Sequence, residues 1–290
     1  MEQLCGILNI KKEAGFTSHD VVAKLRKLLN LKRIGHTGTL DPEATGVLVI
    51  CLGQATRAAQ YLEAVSKTYE AELVLGITTA TEDWTGEVIS SSHVEIEAGE
   101  LEEALAKFRG NIWQVPPMYS AVHYQGQRLH QLARQGKVVA REPREVTIHK
   151  LELVSFQKPN LAKLYVECSK GTYIRTLCKD VGAELGTGGH MGKLVRLSAG
   201  GFTLQDAFTL EEVEAAAEAG GIQQLIVPLG KALSHWPKLL VSSAQEKLIS
   251  HGCGLQTDLT GMVRIEAADG RLLALGSCEA GVCRPVRVFC

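Results

Sequence analysis

Apolar residues at Val21, Val22, Leu25, Leu28 and Leu29 recur at helical spacing. They predict an amphipathic helix capped by Ser18. Residues 6–10 before it (GILNI) read as a short buried strand. Residues 47–52 after it are apolar without interruption, the pattern of a strand covered on both faces. Tyr69, Ala71, Leu73 and Leu75 then alternate with Glu70, Glu72 and Val74 and stop at Gly76, predicting a half-buried strand. Residues 77–86 form a threonine-rich loop carrying Glu82, Asp83 and Trp84, and residues 101–108 a short helix. A strand follows over 161–169, then a helix to about Leu185, a glycine-rich break over 186–192 and a strand over 193–197. Thr209 and Glu212 have the spacing of a capping box. Near Trp236-Pro237 the texture changes to several short strands and one helix over 244–250, with Asp269-Gly270 as a hairpin turn.

Two segments do not fit the role of simple connections. Residues 35–46 (GHTGTLDPEATG) pack three glycines, a histidine and two acids between the helix and the apolar run. Ordinary connections are about 4–6 residues long, and shaped loops on rigid scaffolds are where catalytic groups concentrate. Asp41 lies mid-loop, and Pro42 biases it towards an extended backbone. The pattern alone also admits a structural Asp holding a turn before proline. The second segment, residues 115–144, sets Arg128, Arg134, Lys137, Arg141 and Arg144 against Glu142 alone. It reads as a basic appendage with one helix over 128–135.

Composition narrows the class without choosing a function. The chain has 290 residues, 45% hydrophobic and 22% charged, with a net charge of −1. A near-neutral protein can still present a local basic face to nucleic acid. The eight cysteines (Cys5, Cys51, Cys168, Cys178, Cys253, Cys278, Cys283 and Cys290) form no CxxC pair. That argues for a reduced, cytoplasmic setting, with neither a zinc site nor a disulfide framework. No signal-peptide pattern opens the sequence and no apolar stretch approaches a membrane span.

The loop 35–48 (GHTGTLDPEATGVL) resembles the catalytic loop of the bacterial tRNA pseudouridine synthase B family. Further motifs agree in order: Lys67-Thr68-Tyr69, residues 114–121 (QVPPMYSA), residues 171–176 (GTYIRT), Gly189-His190 and Leu194-Val195-Arg196. His123 stands where the family usually shows lysine. The resemblance runs from about Gly6 to Cys290 and implies an α+β fold. Its elements would be a mixed, largely antiparallel sheet flanked by helices and a small, mostly β C-terminal PUA domain. The expected domains are 1–236, with a basic RNA-binding insertion at about 112–145, and 237–290.

The same resemblance implies isomerisation of uridine 55 in the T loop of tRNA to pseudouridine. The N1–C1′ bond breaks, the base turns and a bond forms through C5. The product is an isomer, so no cofactor is expected. Asp41 matches the nucleophile; attack at C6, attack at C1′ and a glycal route all stay open. Arg175 matches the arginine paired with the catalytic carboxylate, and Tyr69 the residue stacked on the target base. Tyr173 and Leu194 match residues lining the uridine pocket. His36 matches the residue that fills the space left by the flipped base. Lys32, Arg33, Arg128 and Arg134 are candidates for phosphate contacts. Metal ligation by His36 and Asp41 is disfavoured, because no third ligand is near in sequence. The expected partner is the T-arm stem-loop of tRNA, with no membrane, no obligate protein partner and a monomeric state. The rivals are an RNA-guided box H/ACA-type enzyme, a tRNA-folding chaperone and a nucleoside hydrolase using Asp41 as a base.

Overall fold

The computed structural model describes residues 4–63 and 65–289; Cys290, the last of the cysteines named above, lies outside them. The chain forms two compact units. One comprises Met1–Pro42, Val47–Glu63 and Gly200–Cys290, the other Glu43–Gly46 and Ala64–Ala199.

In the first unit, the strand Gly6–Lys12 hydrogen-bonds to the strand Thr45–Leu52. The short strand Ile34–His36 pairs antiparallel with the latter, Ile34 opposite Leu52 and His36 opposite Ile50. The apolar stripe of the helix Ser18–Leu28 explains where it sits: Val21, Val22 and Leu25 are buried in one cluster with Leu8, Ile10, Leu48, Ile50 and Leu52. Thr17, not Ser18, caps this helix. Thr17 has the extended backbone a cap needs, and it closes a capping box with Asp20. The capping box at Thr209 and Glu212 forms as expected and starts the helix Leu210–Glu218.

The expected mostly β C-terminal element is present. Its five strands run in the order Lys238–Val241, Gly261–Ala267, Leu272–Glu279, Val282–Val288, Leu255–Gln256. The first pair is parallel and the others antiparallel, and the helix Ser243–Ser250 contributes Ile249 to their core. Asp269-Gly270 makes the turn between the second and third strands, with Gly270 at φ +87°. Cys278 and Cys283 stand opposite each other in the next hairpin and form a disulfide. This departs from the reading of the cysteines as unpaired, because hairpin register brings together sulfurs that linear spacing does not flag.

The second unit is built on a sheet with the order Gly189–Ala199, Lys67–Leu75, Leu161–Cys168, Arg144–Gln157, Gly110–Gln114, all antiparallel. In Lys67–Leu75, buried and half-buried residues alternate without a break, as the sequence pattern requires. Thr45 and Gly46 add a parallel pairing with Val195 and Arg196, which makes the sheet mixed. The strand Gly189–Ala199 begins inside the glycine-rich stretch that reads as a break. Those glycines serve close packing: a Cβ on Gly188 would lie 2.7 Å from Thr78 Cγ2, and one on Gly189 3.2 Å from the Cys178 carbonyl oxygen. Likewise residues 77–86 are not all loop, since Ile77–Thr79 pairs with Val88–Ser91. The basic segment holds a two-stranded hairpin, His123–Tyr124 with Gln127–Arg128, and the helix Leu129–Arg134. Among the described residues no helix is long and apolar enough to cross a membrane.

Candidate active site

The loop around Asp41 is fastened on both sides. Ser18 is buried; its hydroxyl accepts from the Leu40 N–H at 2.9 Å and donates to the Leu40 carbonyl at 3.2 Å. On the other side, the Pro42 carbonyl accepts from Lys12 Nζ at 2.8 Å and from the Gly15 N–H at 3.1 Å. Lys12 is itself buried, and its ammonium also donates to the Glu13 carbonyl at 2.8 Å. Asp41, half-buried, is the residue between these two anchors. His36 ends the strand Ile34–His36 rather than lying in open loop, so its backbone position is set by the sheet. The loop proper is therefore residues 37–44, shorter than the sequence pattern suggests.

The chain leaving the loop enters the sheet of the second unit at a tight point. Gly46 lies opposite Arg196, with φ +103°, and a Cβ there would meet the Arg196 carbonyl oxygen at 2.2 Å. No side chain fits this contact. Arg196 in turn lies opposite Tyr69, and Leu194 opposite Ala71. Cross-strand partners share a sheet face, so Tyr69, Ala71, Leu194 and Arg196 stand on one side. Tyr69, Leu194 and Arg196 are all buried. The structure thus brings Tyr69 and Leu194 together on neighbouring strands.

Tyr173 and Arg175 come from the start of the helix Ile174–Glu184. The Tyr173 N–H donates to Gln114 Oε1 at 3.0 Å, and its carbonyl accepts from Gln114 Nε2 at 3.2 Å. Arg175 is buried, although a cation in the first turn of a helix opposes the helix dipole. Its surroundings supply the compensation. Nη1 donates to the Thr81 carbonyl at 3.1 Å and Nη2 to the Tyr119 carbonyl at 2.9 Å, while Nε lies 3.9 Å from Asp83 Oδ2. The other oxygen of Asp83 accepts from Thr81 Oγ1 (2.6 Å), Thr85 Oγ1 (2.6 Å) and the Thr85 N–H (3.0 Å). The guanidinium is thereby fixed by groups from two separate loops.

Several of these supporting residues carry no site signal in the sequence. Ser18 looks like a helix cap, Lys12 like a surface cation, and Gln114 and Asp83 like ordinary polar residues. Each acts on a group far away along the chain, so local pattern does not flag it. Lys32, Arg33, Arg128 and Arg134 are all exposed. Burial pushes the Cys51 and Cys178 thiols up to about 12 and the Cys168 thiol up to about 11. These three stay protonated near neutrality and are poor nucleophiles. Among the described residues, no group of three or more His, Cys, Asp or Glu side chains is arranged to hold a metal ion.

Known proteins resemble the chain over most of its length. Residues 26–174 match the model of the TruB family pseudouridylate synthase N-terminal domain. Residues 175–234 match the tRNA pseudouridylate synthase B C-terminal domain. The chain is 45% identical to the tRNA pseudouridine synthase B of Bacillus cereus, over 88% of this chain and 85% of that protein. It is also 45% identical to that of Pseudomonas fluorescens, over 98% and 95%. Among solved structures it is similar to one of a Cbf5-Nop10-Gar1 complex, with a TM-score of 0.76 and 28% identity over 98% of this chain and 84% of that one. An H/ACA RNP bound to a substrate RNA containing 2′-deoxyuridine gives a TM-score of 0.75 at 26% identity, over 98% and 85%. A family model covering more than half of the chain, and relatives at this identity over nearly all of it, lead to one conclusion: the chain belongs to the TruB family of pseudouridylate synthases.

Proposed function

We propose that this protein is a stand-alone tRNA pseudouridine synthase that isomerises uridine 55 in the T loop, with Asp41 as nucleophile after the base is flipped out. The observation that carries this reading is the double fastening of the Asp41 loop at Leu40 and Pro42. A nucleophile must be held at a fixed point against a substrate that is itself being moved, and preorganised backbone achieves this without reorganisation during reaction. Tyr69 and Leu194 supply the aromatic and apolar wall on which the uracil stacks. Arg175 is the cation that the resemblance assigns to the carboxylate, and the same resemblance assigns Tyr173 to the uridine pocket. His36 occupies the gap that the base leaves, which offsets part of the few kcal/mol that unstacking costs.

Two expectations arise here. Ser18→Ala leaves the Leu40 N–H buried without its present acceptor. It should lower kcat roughly tenfold, for a loss of about 1–3 kcal/mol at the loop, with KM for tRNA little changed. Steady-state kinetics with a thermal melt would check this; an unchanged kcat would remove Ser18 from the positioning of Asp41. The second concerns the basic appendage. Arg128→Ala with Arg134→Ala should weaken tRNA binding and reduce the slope of log affinity against log salt by about two. An unaltered slope would take the appendage out of the RNA interface.

The RNA-guided reading has one observation in its favour, the likeness to the Cbf5-containing structures. The relatives called tRNA pseudouridine synthase B are nearer in sequence, 45% against 28% identity. Incubating the purified protein with an unmodified tRNA transcript separates the two. Pseudouridine at position 55 without added RNA supports the stand-alone enzyme. Modification only in the presence of a guide RNA would overturn it.

A further inference from the structure

Trp84 is 54% exposed, an unusual state for a large aromatic side chain. It is not on a loose tip. Its backbone N–H donates to the Met191 carbonyl at 2.9 Å, and the Met191 backbone N–H donates to the Glu82 carbonyl at 3.0 Å. The preceding Asp83 carbonyl accepts from Thr79 Oγ1 at 2.6 Å. Gly86 follows, and a Cβ there would meet Thr81 Oγ1 at 2.3 Å, so the turn is closed tightly on itself. The indole is thus held out from a backbone fastened on both sides.

The two acids beside it are both paired. The Glu82 carboxylate accepts from Thr176 Oγ1 at 2.7 Å and from Lys179 Nζ at 2.8 Å. Asp83 faces Arg175 and two threonines. Both acids of the loop are therefore engaged inward. In the same turn the Thr81 carbonyl accepts from Arg175 Nη1, so Trp84 rides on the element that fixes a proposed active-site cation.

We infer that Trp84 is a stacking platform for a nucleotide of the RNA substrate, outside the uridine pocket. This rests on the reading of the chain as a tRNA-modifying enzyme. A rigid exposed indole binds a base with little ordering cost, and base–aromatic stacking tolerates any base. Its role is affinity and placement of the RNA, not chemistry.

The test uses the full-length protein and an unmodified tRNA transcript. Trp84→Ala should weaken tRNA binding roughly five- to hundredfold, while Trp84→Phe retains most of it. The protein has three tryptophans, so intrinsic fluorescence gives a second readout. Saturating tRNA should quench the wild-type emission, and Trp84→Phe should remove most of that quenching while binding persists. Unchanged affinity in a folded Trp84→Ala, or equal quenching in Trp84→Phe, overturns the inference and leaves the ring for a protein partner. Failure of the underlying reading looks different: the wild-type protein itself would then form no pseudouridine.

Discussion

Asp41→Asn is expected to abolish pseudouridine formation, lowering the rate on the order of 10⁴-fold or more, while tRNA binding persists. Asn preserves the size of the side chain but removes its nucleophilic charge. The backbone fastening at Leu40 and Pro42 does not pass through the Asp41 side chain, so the loop should keep its shape. Affinity should hold or rise, because the change removes a negative charge from a surface that receives phosphates. Filter binding with the same transcript distinguishes this outcome from unfolding. Wild-type rates in Asp41→Asn would return Asp41 to the role of a turn residue before proline.

Arg175→Lys should carry the second largest effect, a loss of roughly 10²–10³-fold in kcat with a lowered melting temperature. The guanidinium serves two carbonyls, those of Thr81 and Tyr119, through two different nitrogens, with Nε near Asp83. One ammonium cannot reproduce that fork. At least one half-buried carbonyl loses its donor, at about 1–3 kcal/mol, and a protein of this size melts a few degrees lower for each kcal/mol. Circular dichroism melts and single-turnover kinetics would show both changes. A lysine variant with wild-type rate and stability would mean that only the charge matters at this position. Asp83→Asn should reproduce part of the kinetic loss, since Asp83 faces Arg175 without being a candidate nucleophile.

The parts of the fold that the sequence predicts well are those with one buried face. The helix Ser18–Leu28 and the strand Lys67–Leu75 show their periodicity because Val21, Val22 and Leu25, and Tyr69, Ala71, Leu73 and Leu75, all point into a core. The strand Arg144–Gln157 shows no such signal. Its residues are largely exposed, and register shifts between Ile148 and Lys150 and between Leu153 and Ser155 break the alternation. The strand Gly110–Gln114 is likewise mostly exposed, with Gln114 its buried residue. Glycines misled in one place, since 186–192 contains close contacts as well as a turn. The candidate site follows the same logic. Asp41, Tyr69, Tyr173, Arg175 and Leu194 stand in motifs whose order carries the family resemblance. The groups that hold them, Ser18, Lys12, Gln114, Thr81 and Asp83, act across 22 to 94 residues of sequence. Only folding brings them to their partners.

The most direct test follows the hydrogen at uridine C5, which isomerisation must release and simple binding must not. Unmodified tRNA carrying tritium at that position is incubated with the protein alone. Asp41-dependent isomerisation predicts tritium in the solvent, no free uracil, and none of this release with Asp41→Asn. Bound tRNA that keeps its tritium, or uracil appearing in solution, would contradict it.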